Sequence, residues 1–309
     1  MRYLILLSMM FTLVFSVSPE QARETVYDAY DPLHDPAAQT ALREHTEGTF
    51  GFRAYKANFF LPVSVADRDY PSYVPSDDYR RIEAEYQYSF CLDLFADLFG
   101  GSELYGIAMT QHGFWQMYSD SSPFRENNYN PEVYVLIPLL GRGDAVGLKT
   151  VKLTYSHNSN GQGSMDNTDF NASELSDGDP HWYRNRSRSW NYLSAVLGFQ
   201  HGSLFTDLTL WIKLDTTMFG IRDDNPDIVD YMGWGQLDLR YLWGAHQVEF
   251  MGRFNPVTGY GAVQAGWSFP FFGRESVYWY AKGFGGYGES LIDYDRYVNK
   301  FSFGLGFFR

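Results

Sequence analysis

The segment 207–214 reads DLTLWIKL, and its side chains alternate between apolar and polar along the chain. One row is formed by Leu208, Leu210, Ile212 and Leu214, and the other by Asp207, Thr209, Trp211 and Lys213. Successive side chains of a β-strand point to opposite faces, so the segment predicts a strand with one apolar and one polar face. The same period of two recurs at 236–241, 247–254 and 301–307. The chain is therefore predicted to be all-β.

Segments of about ten residues with this alternation, separated by turns, are typical of membrane β-barrels. The candidate strands are 51–61, 82–93, 103–116, 132–141, 146–157, 188–201, 203–214, 231–243, 246–256, 259–270, 274–285 and 298–308. Short connections at 141–144 and 271–274 contrast with long ones at 162–186 and 286–297. Residues 51–309 are thus predicted to form a twelve-stranded antiparallel transmembrane β-barrel, and residues 19–50, which show neither pattern, an irregular N-terminal segment.

The charges on the polar rows distinguish a barrel from a soluble β-sandwich, which shows the same alternation. The polar face of a sandwich is wet, whereas that of a small barrel is internal and needs opposite charges that can pair. Such a set is present on neighbouring predicted hairpins: Asp207, Lys213, Asp238, Arg240, Glu249 and Arg253. Tyrosine and tryptophan at strand ends also favour the barrel.

The first residues indicate the compartment. A short positive start is followed by an apolar run at 3–17 and by small residues at 17–18, which predicts a secretory signal peptide over 1–18. The alternative is a membrane anchor, but the run is shorter than the roughly 20 residues that a spanning helix needs. The single cysteine, Cys91, excludes an intramolecular disulfide and is interpreted as a packed strand residue. A net charge of −13 argues against nucleic acid as a partner.

A histidine and a serine lie two residues apart at the end of another alternating strand. His157 and Ser159 continue the apolar row of Val151, Leu153 and Tyr155, so they project from the same face. A serine nucleophile needs an adjacent base, and the base needs a third group to orient it. Asn191 is the polar member of the apolar row on the next predicted strand and is the candidate for that group. Because the pair continues an apolar row, we expect a substrate that arrives through lipid.

The sequence around these residues resembles the outer-membrane phospholipase A family of Gram-negative bacteria. The matching motifs are YSHNSNG at 155–161, SRSWN at 187–191, SSPFRE at 121–126, DDNPDI at 223–228, TGYG at 258–261 and YGESLIDY at 287–294. The resemblance implies calcium-dependent hydrolysis of phospholipid and lysophospholipid acyl esters in the outer membrane by a homodimer. It implies Ser159 as nucleophile, His157 as general base and Asn191 as the group that orients the base.

The resemblance also implies how the oxyanion and the calcium ion are held. The backbone N–H of Gly161 and a calcium-bound water form the oxyanion hole. The expected calcium ligands are the carbonyl of Gln162, the hydroxyl of Ser187 and the carbonyl of the partner subunit's Ser121. Position 162 is glutamine where the family often has arginine, which matters little for a backbone ligand. The loop 162–186 is longer than in compact members of the family and carries five acidic residues, which either add calcium ligands or only keep the loop solvated.

Gln111 is an interface candidate. It follows Tyr105, Ile107 and Met109 on a predicted outward row, where an amide facing lipid is costly. Pairing with its own copy across a symmetric interface would satisfy it, and the family resemblance also implies an interface glutamine here. The alternative is that Gln111 lies at headgroup level and is hydrated.

Two other functions remain open at this stage. One is a channel or structural barrel without catalysis, against which a filled, oppositely charged lumen would argue. The other is an acyltransferase, which shares the acyl-enzyme but passes the chain to an acceptor other than water. Sequence does not separate these acceptors, nor does it give the positional or headgroup preference.

Overall fold

The computed structural model describes residues 18–46, 52–72, 78–162, 186–215, 225–273 and 276–307. In these ranges one antiparallel sheet contains thirteen strands. Their bounds are β1 Phe52–Ala54, β2 Asn58–Ala66, β3 Ile82–Ala96, β4 Leu104–Trp115, β5 Phe124–Pro138, β6 Leu148–Ser159, β7 Ser189–His201, β8 Leu204–Lys213, β9 Gly235–Trp243, β10 His246–Phe254, β11 Gly261–Pro270, β12 Val277–Gly286 and β13 Val298–Phe307.

The sheet closes on itself. Each strand from β2 to β13 pairs with its neighbour in sequence, and β13 returns to pair with β2. Both β1 and β2 pair with β3, β1 opposite residues 90–92 and β2 opposite residues 82–87. They therefore act as one barrel strand interrupted at residues 55–57, and the predicted twelve-stranded antiparallel barrel is confirmed.

The main difference in strand bounds concerns β5, which begins at Phe124 and not at the predicted residue 132. The missed part, residues 124–131, reads FRENNYNP. Polar residues occupy both faces here, so the segment lacks the apolar row by which the other strands were found. This extension also carries the residues that pack behind the candidate site.

The two faces of the barrel wall differ as the alternation predicted. On β6, Leu153 and Tyr155 point outward and remain 45% and 44% exposed in the isolated chain, whereas Thr154 and Ser156 point inward and are buried. An outer face that is apolar and solvent-exposed in one chain is the surface that lipid covers. No helix in the described ranges is long and apolar enough to cross a membrane.

The lumen is filled by paired charges. Arg125 contacts Glu83 at 2.9 Å and Asp293 at 2.5 Å, and Lys300 contacts Glu83 at 2.9 Å and Glu289 at 2.8 Å. Pairing of this kind is what allows charges to be buried. These residues are not the set expected from the hairpins of β8 to β10. Alternation tells which face a charge is on, but contacts across the lumen join strands that are distant in sequence.

The N-terminal segment differs from the irregular structure predicted for residues 19–50, because it contains two helices, α1 (Pro19–Asp28) and α2 (Pro36–Thr46). Ser18 caps α1: its hydroxyl accepts from the backbone N–H of Gln21 at 3.2 Å, and the Gln21 side chain accepts from the Ser18 N–H at 3.0 Å. This reciprocal arrangement is a capping box. Of the predicted signal peptide, residues 1–17 lie outside the described residues.

Both helices pack at the end of the barrel where the short turns lie. Ala22 of α1 packs with Ala96 and Leu104, which flank the β3–β4 turn. Ala38 and Leu42 of α2 belong to a cluster with side chains from β8 and β9. The helices bury small and branched apolar residues here, so they are part of the folded domain. The described ends of the β6–β7 connection, residues 160–162 and 186–188, lie at the opposite end.

Candidate active site

The pairing of β6 with β7 brings the predicted base and its orienting group together. His157 lies directly opposite Asn191, and Ser159 opposite Ser189. His157 Nδ1 lies 2.9 Å from Asn191 Oδ1. An amide oxygen only accepts, so this contact assigns the proton to Nδ1 and leaves Nε2 of a neutral ring as an acceptor. The imidazole is thus held in the tautomer that a general base needs.

Tyr155 is a member of the site that sequence reasoning gave no role. Its hydroxyl donates to Asn191 Oδ1 at 3.0 Å, so the same amide oxygen accepts hydrogen bonds from both Tyr155 and His157. The signal was present, because Tyr155 precedes His157 by two residues and must share its face. Two donors on one oxygen restrict the orientation of the Asn191 side chain.

The site lies on the outer wall of the barrel. Trp190, which precedes Asn191, is buried and stacks on Tyr192. The inward position of Trp190 and the outward position of Leu193 confirm that Asn191 faces outward, as His157 does beside exposed Tyr155. Tyr129 of β5 lies opposite Ser159 on the other side of β6.

A turn follows the candidate nucleophile directly. Gly161 has φ of +64°, and a Cβ added there would lie 3.3 Å from the Tyr129 ring. The Asn160 side-chain oxygen accepts from the backbone N–H of Gln162 at 3.2 Å and of Arg188 at 3.0 Å. The turn is therefore tied to the start of β7, and a left-handed glycine presents its backbone close to Ser159.

The expected calcium ligands fall on two connections at the same end of the barrel. Gln162 and Ser187 flank the β6–β7 connection, whose strands are joined just below by the Asn160 N–H donating to the Arg188 carbonyl at 2.9 Å. Ser121 is exposed in the β4–β5 connection with φ of +58°. These are neutral oxygen donors, which suit calcium. Within the described ranges no three His, Cys, Asp or Glu side chains are grouped to hold a metal ion.

The sequence left two roles open for the five acidic residues of the long connection, calcium ligation or solvation of the loop. Asp166, Asp169, Glu174, Asp177 and Asp179 lie outside the described residues, which resume at Arg186.

Beside Arg188, the connection after β12 contributes further polar groups. Burial raises the pKa of the Tyr294 hydroxyl, which also donates to Asp227 at 2.5 Å. Burial likewise raises the pKa of the Asp295 carboxyl.

Gln111 lies on the outer wall, but its amide is not isolated. Its Nε2 lies 3.3 Å from both the Tyr86 hydroxyl and the Asn127 side-chain oxygen, and the Tyr86 hydroxyl donates to that oxygen at 2.6 Å. These contacts reduce the cost of an amide in apolar surroundings. In register, Gln111 pairs with Tyr129, which pairs with Ser159, so Gln111 lies two strands from the candidate nucleophile.

Comparison with known proteins places the chain in a family. A profile described as phospholipase A1 matches residues 37–307 of the 309. The chain belongs to the phospholipase A1 family. The match covers all described strands, so the family assignment applies to the whole barrel.

Individual relatives agree with the family match. The phospholipase A1 of Escherichia coli K12 is 30% identical over 303 residues, which cover 96% of this chain and 94% of that protein. A structure of E. coli outer membrane phospholipase A, an asparagine-to-alanine active-site mutant, has a TM-score of 0.70 at 29% identity and covers 88% of this chain and 96% of the other. A calcium-bound outer membrane phospholipase dimer from Salmonella typhi has a TM-score of 0.69 at 29% identity, covering 84% and 93%.

These findings confirm the resemblance to outer-membrane phospholipase A, the enzyme class and the location in the outer membrane. The chain is a phospholipase of the outer membrane that crosses the bilayer as a β-barrel. A protein of this class meets its substrate in the membrane around it, which agrees with the position of the candidate residues His157 and Asn191 on the outer wall.

Proposed function

We propose that this enzyme hydrolyses acyl esters of phospholipids and lysophospholipids, with Ser159 as nucleophile, His157 as general base and Asn191 as the group that orients the base. The observation that carries the proposal is the 2.9 Å contact between His157 Nδ1 and Asn191 Oδ1 on the outer wall. The E. coli structure named above, whose active-site mutation replaces an asparagine, supports a catalytic role for an asparagine in this family.

The reaction follows the general scheme for a serine with an adjacent base. Ser159 Oγ attacks the ester carbonyl carbon while His157 Nε2 takes the hydroxyl proton. The tetrahedral oxyanion accepts a hydrogen bond from the backbone N–H of Gly161. Collapse expels the alcohol oxygen of the lysophospholipid or, from a lysophospholipid substrate, of the glycerophosphodiester; this oxygen receives the proton from His157, and the acyl chain stays on Ser159. A water molecule, deprotonated by His157, then attacks the acyl carbonyl. The bond to Ser159 Oγ breaks, His157 returns the proton to that oxygen, and the fatty acid leaves.

Asn191 orients the imidazole but cannot stabilise its charged form as a carboxylate does. The Tyr155 hydroxyl, which donates to the same oxygen, keeps the amide from rotating. Because the site opens to the outer wall, a phospholipid can reach it sideways from the leaflet without leaving the membrane. The adjoining row of Leu153 and Tyr155 offers the acyl chain an apolar surface.

Calcium fits the donors present here and supplies positive charge beside the oxyanion when it is bound. The residues that would hold it are Gln162 through its carbonyl, Ser187 through its hydroxyl and the partner subunit's Ser121 through its carbonyl. Calcium usually takes six to eight oxygen ligands, so water and residues of the partner would complete the set. The calcium-bound S. typhi dimer supports this part of the proposal.

We further propose that the active form is a homodimer with Gln111 in its interface. The position of Gln111 two strands from Ser159 means that a partner docked there would lie beside the nucleophile. Its contacts with Tyr86 and Asn127 allow the monomer to tolerate this amide, so the dimer need not be permanent. We also propose that residues 1–18 are a signal peptide and that residues 51–309 form the barrel domain.

The test is fatty-acid release from phospholipid by refolded full-length protein in detergent, with and without calcium, for the wild type and Ser159→Ala. The proposal predicts release only by the wild type with calcium. Equal release by Ser159→Ala would refute the assigned nucleophile, and full release with a chelator present would refute the calcium requirement. If the products are acylated acceptors with little free fatty acid, the enzyme is an acyltransferase.

A further inference from the structure

A buried carboxylate lies behind the turn that follows Ser159. Glu126 of β5 is 1% exposed, and four N–H groups lie within hydrogen-bond distance of its two oxygens. Oε1 accepts from Asn128 Nδ2 at 2.6 Å and from the backbone N–H of Ile292 at 3.1 Å. Oε2 accepts from Asn160 Nδ2 at 3.4 Å and from Gln162 Nε2 at 3.3 Å.

The two residues on Oε2 enclose the glycine whose N–H faces the oxyanion in the proposed mechanism. Asn160 precedes Gly161 and Gln162 follows it, so one carboxylate oxygen holds both sides of the turn. Asn160 also contacts the segment that leads into β7, because its Nδ2 donates to the Arg186 carbonyl at 2.8 Å. Its oxygen accepts from the N–H of Arg188, as described above. The Gln162 carbonyl and the Ser187 hydroxyl, which are proposed as calcium ligands, are on the same two segments.

We propose that Glu126 is a positioning residue that fixes the Gly161 N–H and the Gln162 carbonyl in the geometry needed for the oxyanion and for calcium. The proposal rests on the proposed function and adds a residue that touches neither substrate nor metal. Glu126 also lies on β5, the strand that begins directly after the β4–β5 connection.

The donors around Glu126 explain why a carboxylate is needed. All four are N–H groups, two on each oxygen, and a carboxylate offers only acceptor sites. Glutamine has nearly the same shape but replaces one oxygen with an amino group. In one orientation that group faces the donors of Asn160 and Gln162, and in the other those of Asn128 and Ile292. An amide at position 126 therefore opposes one pair of donors whichever way it is turned.

The central variant is Glu126→Gln, compared with Glu249→Gln as the matched control. Glu249 is also a carboxylate that faces the lumen and accepts from neutral donors, Gln247 Nε2 and the Tyr280 hydroxyl, but it lies on β10 away from the site. The measurements are kcat and KM for a phospholipid in detergent micelles, and the calcium Kd by calorimetry on the detergent-solubilised dimer. The midpoint of urea unfolding shows whether the fold is retained.

For Glu126→Gln we expect kcat to fall and the calcium Kd to rise, each by about 10- to 100-fold, as is typical when a group that orients a site is lost. KM should stay within about twofold, because the surface that contacts the acyl chain is unchanged. Glu249→Gln should keep the wild-type kcat and calcium Kd. A purely structural role for Glu126 would lower the unfolding midpoint without changing the calcium Kd of the folded protein.

A wild-type calcium Kd and kcat in folded Glu126→Gln would overturn the inference, as would an equal loss in Glu249→Gln. If Glu126→Gln does not refold, Asn160→Asp tests the same contact by placing two carboxylates opposite each other, and a wild-type calcium Kd in that variant overturns the inference. Failure of the proposed function is distinguishable, because it would appear as calcium- or Ser159-independent activity in the wild type itself.

Discussion

At the residue scale, the contact between His157 and Asn191 could be predicted because strand geometry fixes it. Both are polar members of otherwise apolar rows at the same end of adjacent strands, and the register makes them direct partners. The contact of Tyr155 with Asn191 could have been predicted in the same way, because Tyr155 shares the outer face with His157. The environment of Glu126 could not be predicted, because apart from Asn128 its partners come from two segments that are distant in sequence.

The relative importance of Ser159 and Asn191 for catalysis is testable by measuring kcat. Ser159→Ala removes the bond-forming atom, whereas Asn191→Ala removes only the group that orients His157. We expect the loss in Asn191→Ala to be about 100-fold smaller than in Ser159→Ala, by analogy with the unequal losses measured within serine triads. Fatty-acid release measured side by side checks this, and equal losses would contradict the assigned roles.

Gly161 allows a second test with a matched control. Alanine in a left-handed conformation costs about 1–2 kcal/mol, and a Cβ at Gly161 would also press on the Tyr129 ring at 3.3 Å. Gly161→Ala therefore displaces the proposed oxyanion donor and should lower kcat by roughly 100-fold.

Gly202 provides the comparison, because its φ is +58° but an added Cβ there meets nothing within 4 Å. It lies in the β7–β8 turn at the other end of the barrel. Gly202→Ala should show a similar loss of stability with the wild-type kcat. Similar kcat values for the two variants would argue against a catalytic position for the Gly161 N–H.

At the element scale, a strand could be predicted from the sequence wherever one of its faces is apolar. The first half of β5 was missed because both of its faces carry polar residues. The N-terminal helices were missed for another reason. The capping sequence of Ser18, Pro19 and Gln21 was readable, but Ser18 stood at the boundary of the predicted signal peptide. Helices of this length are marginal alone, so their docking on the barrel supplies their stability.

Docking of α2 can be tested through Leu42, which is 3% exposed in a cluster with Phe205 and Leu242. Leu42→Asp places an unpaired charge in that cluster and should release the helix. Amide hydrogen exchange in α2 should then accelerate strongly while the strands keep their protection. Ala37→Asp, at an exposed position of the same helix, should leave exchange unchanged. Equal exchange in Leu42→Asp and the wild type would contradict the packing described.

At the scale of the whole molecule, the alternation correctly predicted a closed barrel with a charged interior. When the apolar faces of twelve strands all contact lipid, their polar faces must line the lumen. The particular ion pairs could not be predicted. Lys300 of β13 contacts Glu83 of β3 and Glu289 of the preceding connection, and such contacts depend on the barrel's closure.

Lys300→Met tests how much this interior contributes to stability. The substitution removes the ammonium group that the buried Glu83 and Glu289 carboxylates share. Breaking a buried ion pair by removing one partner typically lowers the free energy of unfolding by about 3–5 kcal/mol. We expect the free energy of unfolding in urea to fall by about that amount, measured on protein refolded in detergent. Arg142→Met removes an exposed charge in a turn and should change it by no more than about 0.5 kcal/mol. A similar small change in Lys300→Met would show that the network is dispensable.

The central claim is that catalysis occurs on the lipid-facing wall through Ser159, His157 and Asn191. A crystal structure of the protein after reaction with a long-chain alkyl fluorophosphonate tests it most directly. We expect phosphorus bonded to Ser159 Oγ, with the alkyl chain lying along the outer wall beside Tyr155 and His157 still hydrogen-bonded to Asn191. A reagent bound to another residue, a chain inside the lumen, or His157 and Asn191 too far apart to touch would contradict it.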